Sequence, residues 1–188
     1  DGGSTSWYFD SPLDPSYQYE TFVSEELVAY VDSRYRTHRS PNRRATAGIS
    51  MGGHGALFLA IRHPDVFGTA ASISGGVDIR PFPGQWDIAL RIGTMEEEPE
   101  RWDELTVVNQ AKERLRGDAD TDADAKLAIS LGCGTKDFFL HVNRNFHNQL
   151  MDMNIPHDYM EYPGGHDWKA WKRVLPYYFS FVNENING

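Results

Sequence analysis

Apolar residues follow two rhythms along this chain, and the switches between them outline its elements. From Tyr19 to Arg36, Leu27, Tyr30 and Val31 stand four, seven and eight residues after Val23, the spacing that gathers side chains on one face of a helix. This segment is expected to be a packing helix. Phe139, Val142, Phe146 and Leu150 repeat in the same way between Phe138 and Asp152 and predict a second amphipathic helix. Shorter apolar runs read as strands, at Arg44 to Ile49, Gly68 to Gly75, Lys126 to Leu131 and His157 to Tyr162. An apolar helix, Gly52 to His63, ends before Pro64, and a last helical segment starts near Trp168. Strands alternating with helices imply βαβ units, hence an α/β fold with a mainly parallel sheet and helices on both faces.

The stretch from Val77 to Ala125 interrupts this order. It carries Pro81, Pro83, Gly84, two tryptophans and many acids, and reads as a lid-like insertion over the strand ends of a single domain. Asp118, Asp120, Asp122 and Asp124 alternate as in a calcium loop, but such a loop needs glycine at its sixth position and glutamate at its twelfth, where this chain has Ala123 and Ile129. A solvated acidic connection is expected instead. Glu96, Glu97, Glu98 and Glu100 suit the positive start of a helix.

Composition excludes several classes of function. At 188 residues, 40% hydrophobic and 24% charged, the chain has the make-up of one globular domain. A formal net charge of -9 argues against a nucleic-acid partner, which needs clustered Lys and Arg. The single cysteine, Cys133, leaves no internal disulfide. There is no apolar run of about eighteen residues, so no membrane partner is expected, and the first residues lack a signal peptide's basic start and apolar middle. The opening Asp1-Gly2-Gly3-Ser4-Thr5-Ser6 is loop-like with no element ahead of it, so an N-terminal part of the domain is expected to lie outside this sequence. The cellular compartment stays open.

The candidate chemistry centres on Gly48-Ile49-Ser50-Met51-Gly52, a G-x-S-x-G at the junction of a predicted strand and a predicted helix. A serine lifted on so tight a turn crowds the residues two before and two after it, which predicts glycine at both. Gly53 and Gly55 extend the small-residue set and are expected to let the helix pack closely and to free first-turn N–H groups for an oxyanion.

A serine hydroxyl needs a general base, and the base needs a carboxylate to orient it. In parallel α/β hydrolases the chain order is Ser, then Asp or Glu, then His, which removes His38. His54 and His63 fall on the helix after Ser50, His141 and His147 on the helix after the third strand, and His157 at the wrong end of the fourth. His166 follows the fourth strand within Pro163-Gly164-Gly165-His166-Asp167-Trp168 and is the candidate base. Asp137, after the third strand, is the candidate orienter, with Asp78 as its rival. Cys133, flanked by glycines at a strand end, reads as structural. No H-x-x-x-H or C-x-x-C pair occurs, so neither a metal nor a cofactor is expected.

With these residues in place, the chain resembles the putative-esterase family of α/β-hydrolases, which includes feruloyl and acetyl xylan esterases, tributyrin esterases, S-formylglutathione hydrolases and mycolyltransferases. The likeness is carried by Ser6-Trp7-Tyr8, Glu20-Thr21-Phe22, Glu25-Glu26-Leu27, the run GISMGGHGALFLAIRHPDVFGTAASISGG from Gly48 to Gly76, GTKDFF around Asp137 and PGGHDW around His166. It implies a Ser50, Asp137, His166 triad working through an acyl-enzyme, with the Met51 backbone N–H as one oxyanion donor. In the family the second donor and the first strands of the sheet precede the region that opens here. The Ser50 strand is therefore expected to have an open edge, covered by a missing N-terminal segment or by a second copy of the chain.

Trp7, Tyr8 and Trp86 are candidates to stack on a sugar or an aromatic acid, against the plainer reading that they are packing aromatics. The expected substrate is a small-molecule or carbohydrate ester, either short-chain or carbohydrate-linked (acetyl or feruloyl). An S-formylglutathione-type thioesterase, an acyltransferase and a non-catalytic binding protein are the alternatives.

Overall fold

The four strands β1 (Ala45–Ile49), β2 (Thr69–Ile73), β3 (Ala128–Gly134) and β4 (Asp158–Tyr162) pair in parallel in their sequence order, β1-β2-β3-β4. The computed structural model describes residues 2–115 and 127–187. Every strand ends on one rim of the sheet because each pair is parallel, and the loops leaving that rim carry the candidate chemistry.

Alternation along the strands sends side chains to two faces. Ala70, Ile129, Leu131 and Cys133 pack with the core built on helix α3 (Met51–Arg62) and α7 (Leu140–Asp152). Ala71, Ile73 and Tyr162 pack instead with Ala170, Trp171, Val174 and Tyr178 of α8 (Trp168–Asn187). Helices thus cover both faces, as the alternation of elements predicts. The α7 periodicity also matches: Phe139, Val142, Phe146 and Leu150 are all buried.

Three expectations change in the structure. The N-terminal helical segment comprises α1 (Tyr19–Thr21), a π-helical stretch at Phe22–Leu27 and α2 (Val28–Arg34). A π turn bonds residue i to i+5 and so takes up more residues than an α turn; Val23 and Val28 lean on the main core while Leu27 and Tyr30 are 41% and 51% exposed. The face read from a 3.6-residue period is therefore rotated and only partly packed. Strand β3 runs on to Gly134, beyond Leu131, because Gly132 continues the ladder with β4. A Cβ there would lie 2.3 Å from the Met160 carbonyl oxygen, so this glycine serves close strand packing rather than a stop.

The third change concerns residues after Val77. Short helices α4 (Ala89–Ile92), α5 (Pro99–Glu104) and α6 (Val107–Arg114) follow, and Val77, Ile79, Ile88, Ile92, Trp102 and Val107 are fully buried in the main core. This stretch is a structural layer against α3 as well as a rim segment. The alternating acids Asp118 to Asp124 lie outside the described residues. Among the described residues strand β1 pairs on one side only, with β2.

Candidate active site

Ser50 occupies the sharp turn between β1 and α3 with φ 60 and ψ -119, a conformation that costs a non-glycine residue free energy and is held by its surroundings. Its N–H donates to the Ile73 carbonyl at 2.9 Å, tying the turn to the end of β2. A Cβ on Gly48 would stand 2.1 Å from the Gly52 carbonyl oxygen, so glycine is obligatory there. Gly52 differs from the expectation. A Cβ on it would meet only the Tyr8 hydroxyl, at 3.9 Å, because the helix turns that position outward and crowds Gly48 with backbone alone. Gly55 faces the Tyr8 ring rather than the sheet.

His166 arrives from the far side of the rim, 116 residues along the chain, and its Nε2 lies 2.7 Å from Ser50 Oγ. Its Nδ1 lies 2.8 Å from Asp137 Oδ2. A carboxylate only accepts, so Nδ1 carries the proton and Nε2 is left to accept from the serine hydroxyl. Asp137 is buried, and its Oδ1 accepts the Phe139 N–H at 2.9 Å. The loops bearing the two residues are cross-tied: Thr135 N–H donates to the Tyr162 carbonyl and Lys136 N–H to the Gly164 carbonyl, each at 2.8 Å.

The structure brings Ser50, Asp137 and His166 together and leaves the other candidates elsewhere. Asp78 is taken by Arg80, whose Nε and Nη2 donate to its two carboxylate oxygens at 2.8 Å each. Burial drives the His54 imidazole down to about 4, and its Nδ1 lies 3.1 Å from the Gly76 carbonyl. His147 and His157 bond to each other at 2.7 Å. Burial and the neighbouring Asp137 charge push the Cys133 thiol up to about 12, which suits a core residue. Among the described residues no group of three or more His, Cys, Asp or Glu is placed to hold a metal ion.

Met51 opens α3, where first-turn N–H groups have no carbonyl four residues back within the helix and the dipole is positive.

Aromatic rings surround the imidazole. Phe138 lies 4.4 Å from it between ring centroids, Trp171 4.9 Å and Phe139 5.5 Å. Phe138 also closes a cleft of about 450 Å³ whose opposite wall is Pro81 to Trp86. Trp86 is 37% exposed and stacks on Phe138 at 5.8 Å. Trp7 is only 2% exposed, wedged against His54 and Trp86. Its ring has no open face to offer a sugar, so its role is packing. Tyr8 is half-buried, with burial raising its phenol. The sequence reading gives Phe138 and Trp171 no place at the site and Phe139 only a place on a helix face, although two phenylalanines directly after Asp137 are a visible signal; the first of them is 47% exposed.

The family described as "Putative esterase" matches residues 3–180. An esterase of Mycobacterium tuberculosis is 32% identical over 190 residues, covering 88% of this chain and 40% of that protein. An acetyl esterase of Caldicellulosiruptor saccharolyticus is 24% identical over 199 residues, covering 97% of this chain and 70% of that protein. The solved structure of a ferulic acid esterase superposes with a TM-score of 0.75 at 30% identity, covering 95% of this chain and 64% of that one. The chain thus spans about two-fifths of the length of the mycobacterial relative. A parallel sheet with helices on both faces, a strained serine turn and a family match along nearly its whole length make this chain a member of the putative-esterase family, on an α/β-hydrolase fold.

Proposed function

We propose that the chain carries the working centre of a serine carboxylic-ester hydrolase, and the observation that carries this reading is the unbroken relay Ser50 Oγ, His166 Nε2, His166 Nδ1, Asp137 Oδ2, with contacts of 2.7 and 2.8 Å. Ser50 Oγ attacks the ester carbonyl carbon as its proton passes to His166 Nε2. The carbonyl oxygen, now negative, is met by the Met51 N–H at the start of α3. His166 returns the proton to the leaving alcohol, and an acyl group remains on Ser50. Water then attacks that acyl-enzyme with His166 again as base, and the acid leaves. Asp137 holds the imidazole's tautomer and balances its transient positive charge.

The cleft between Pro81 to Trp86 and Phe138 opens beside His166. It suits a short or planar acyl or alcohol group, and Trp86 and Phe138 are its stacking surfaces. The names of the acetyl esterase and ferulic acid esterase relatives agree with acetylated or feruloylated carbohydrate esters as the substrate class. Full turnover also calls for a second oxyanion donor, and we assign it to a segment or partner that covers the open edge of β1, next to Ser50. Loss of one such donor costs on the order of 10² or more in turnover.

A panel of p-nitrophenyl esters with acetylated and feruloylated sugars tests the reading. Ester cleavage that falls by on the order of 10⁵-fold or more in Ser50→Ala is expected. Equal cleavage by parent and variant would overturn it.

A further inference from the structure

Behind the imidazole lies a second hydrogen-bond centre that the ester chemistry does not use. Ser74 follows β2 and is fully buried, with φ 49, an uncommon backbone conformation for a residue with a side chain. Its N–H donates to the Gly132 carbonyl at 2.8 Å, seating it between β2 and β3. Its Oγ accepts the Trp171 Nε1–H at 3.2 Å and bonds the Tyr162 hydroxyl at 2.9 Å. The Cys133 thiol approaches it at 3.9 Å.

The two strong partners bracket His166 in the chain: Tyr162 is four residues before it and Trp171 five after. Between Tyr162 and the imidazole the chain passes Gly164, at φ 139, and Gly165, residues that leave a loop free to wander. One hydroxyl therefore pins both flanks of the segment that carries the imidazole. It pins them to the end of the strand whose Ile73 carbonyl also holds the Ser50 N–H. The held Trp171 ring then stands at 87° to the imidazole with centroids 4.9 Å apart, and limits its tilt.

We propose that Ser74 is a positioning residue for His166, acting through Tyr162 and Trp171; this rests on the reading of His166 as the base for Ser50. Geometry of this kind governs rate steeply, since a misplacement of about 1 Å costs roughly 10²-fold. A loosened clamp leaves His166 near its place for part of the time, so a smaller loss, about 5- to 20-fold in kcat, is expected.

The test compares Ser74→Ala, Trp171→Phe, which keeps a ring but removes the Nε1–H donor, and the double variant, all in the full chain. The imidazole ¹⁵N resonances of His166, assigned with His166→Asn, report its hydrogen bonding without any need for turnover. Kinetics on p-nitrophenyl acetate report kcat and KM separately. Both single variants should shift or broaden the His166 resonances and lower kcat with KM within about twofold, and the double should match the worse single. Unchanged resonances and kcat in a folded Ser74→Ala, or single effects that multiply in the double, would overturn the proposal. If Ser74→Ala does not fold, Tyr162→Phe, which removes the hydroxyl that Ser74 bonds and leaves the Trp171 ring beside the imidazole in place, takes over: unchanged His166 resonances and kcat overturn the proposal, and shifted resonances with a lowered kcat support it. A parent without ester turnover would defeat the esterase reading alone, while the resonances still decide the role of Ser74.

Discussion

Helix α3 has a histidine and a buried carboxylate at each end, in contacts of the same length. At its start, His166 Nδ1 meets Asp137 Oδ2 at 2.8 Å, and at its finish His63 Nε2 meets Glu20 Oε1 at 2.8 Å. The third partner separates them. Glu20 also takes the Arg62 Nε–H at 2.5 Å, and Arg62 reaches Gln110, which in turn accepts from Arg114. Burial works to raise the Glu20 carboxyl, but the hydrogen bonds from His63 and Arg62 prevail and hold it below its ordinary range. Among the described residues the ion pair of Asp137 is with His166 alone, and the other ring nitrogen faces Ser50. The helix dipole adds to the contrast, since its positive end favours an anion at Ser50 and its negative end favours the Arg62 cation. At the same 2.8 Å, the pair beside an arginine is bound into a charge network, while the pair that faces a hydroxyl is the one the proposed mechanism uses as a proton relay.

The largest test of this contrast is Asp137→Asn, which keeps the shape but not the tautomer control. Its kcat on p-nitrophenyl acetate should fall by about 10⁴-fold with an unchanged melting curve. A loss below tenfold would make the Asp137 pair a strut like the other. At the elbow itself, Gly48→Ala forces a Cβ against the Gly52 carbonyl and should cost more than about 3 kcal/mol in urea unfolding. Gly52→Ala, with open space around it, should change stability by under about 1 kcal/mol.

Glu20→Gln should leave kcat within about twofold while lowering unfolding free energy at neutral pH by about 2 kcal/mol. The sign with pH follows from the depressed carboxyl of Glu20. Its contribution is fully present above the unfolded value of about 4.3 and is lost as pH falls through the lower folded value. The variant should therefore show a flatter acid limb in stability measured from pH 6 downward. Smallest of all, Cys133 should resist iodoacetamide at pH 8 in the folded chain and react only after unfolding, as its raised thiol requires.

Much of the rim is legible in the sequence alone. Ser50 is announced by Gly48 and by the strand and helix around it, because a tight turn leaves local marks. The α7 face is equally plain, since Phe139, Val142, Phe146 and Leu150 follow one uninterrupted helical period. The N-terminal segment is helical as its pattern predicts, but its packing face is not legible, because a π turn at Phe22–Leu27 changes the period and nothing in the local pattern signals it. Trp7 gave no sign of its burial either, because an aromatic in a loop is open or closed according to what packs over it, here His54 and Trp86.

By itself the sequence determined the elements whose causes are local: four strands, the amphipathic helices after them and the glycine that a strained serine turn demands. Only the tertiary structure decided how closely Ser50, His166 and Asp137 approach, how Ser74 holds the two flanks of the His166 loop, and which aromatics line a cleft. Those outcomes depend on distances between residues up to 116 positions apart, and such distances are set by strand pairing and core packing, which no run of neighbouring residues encodes.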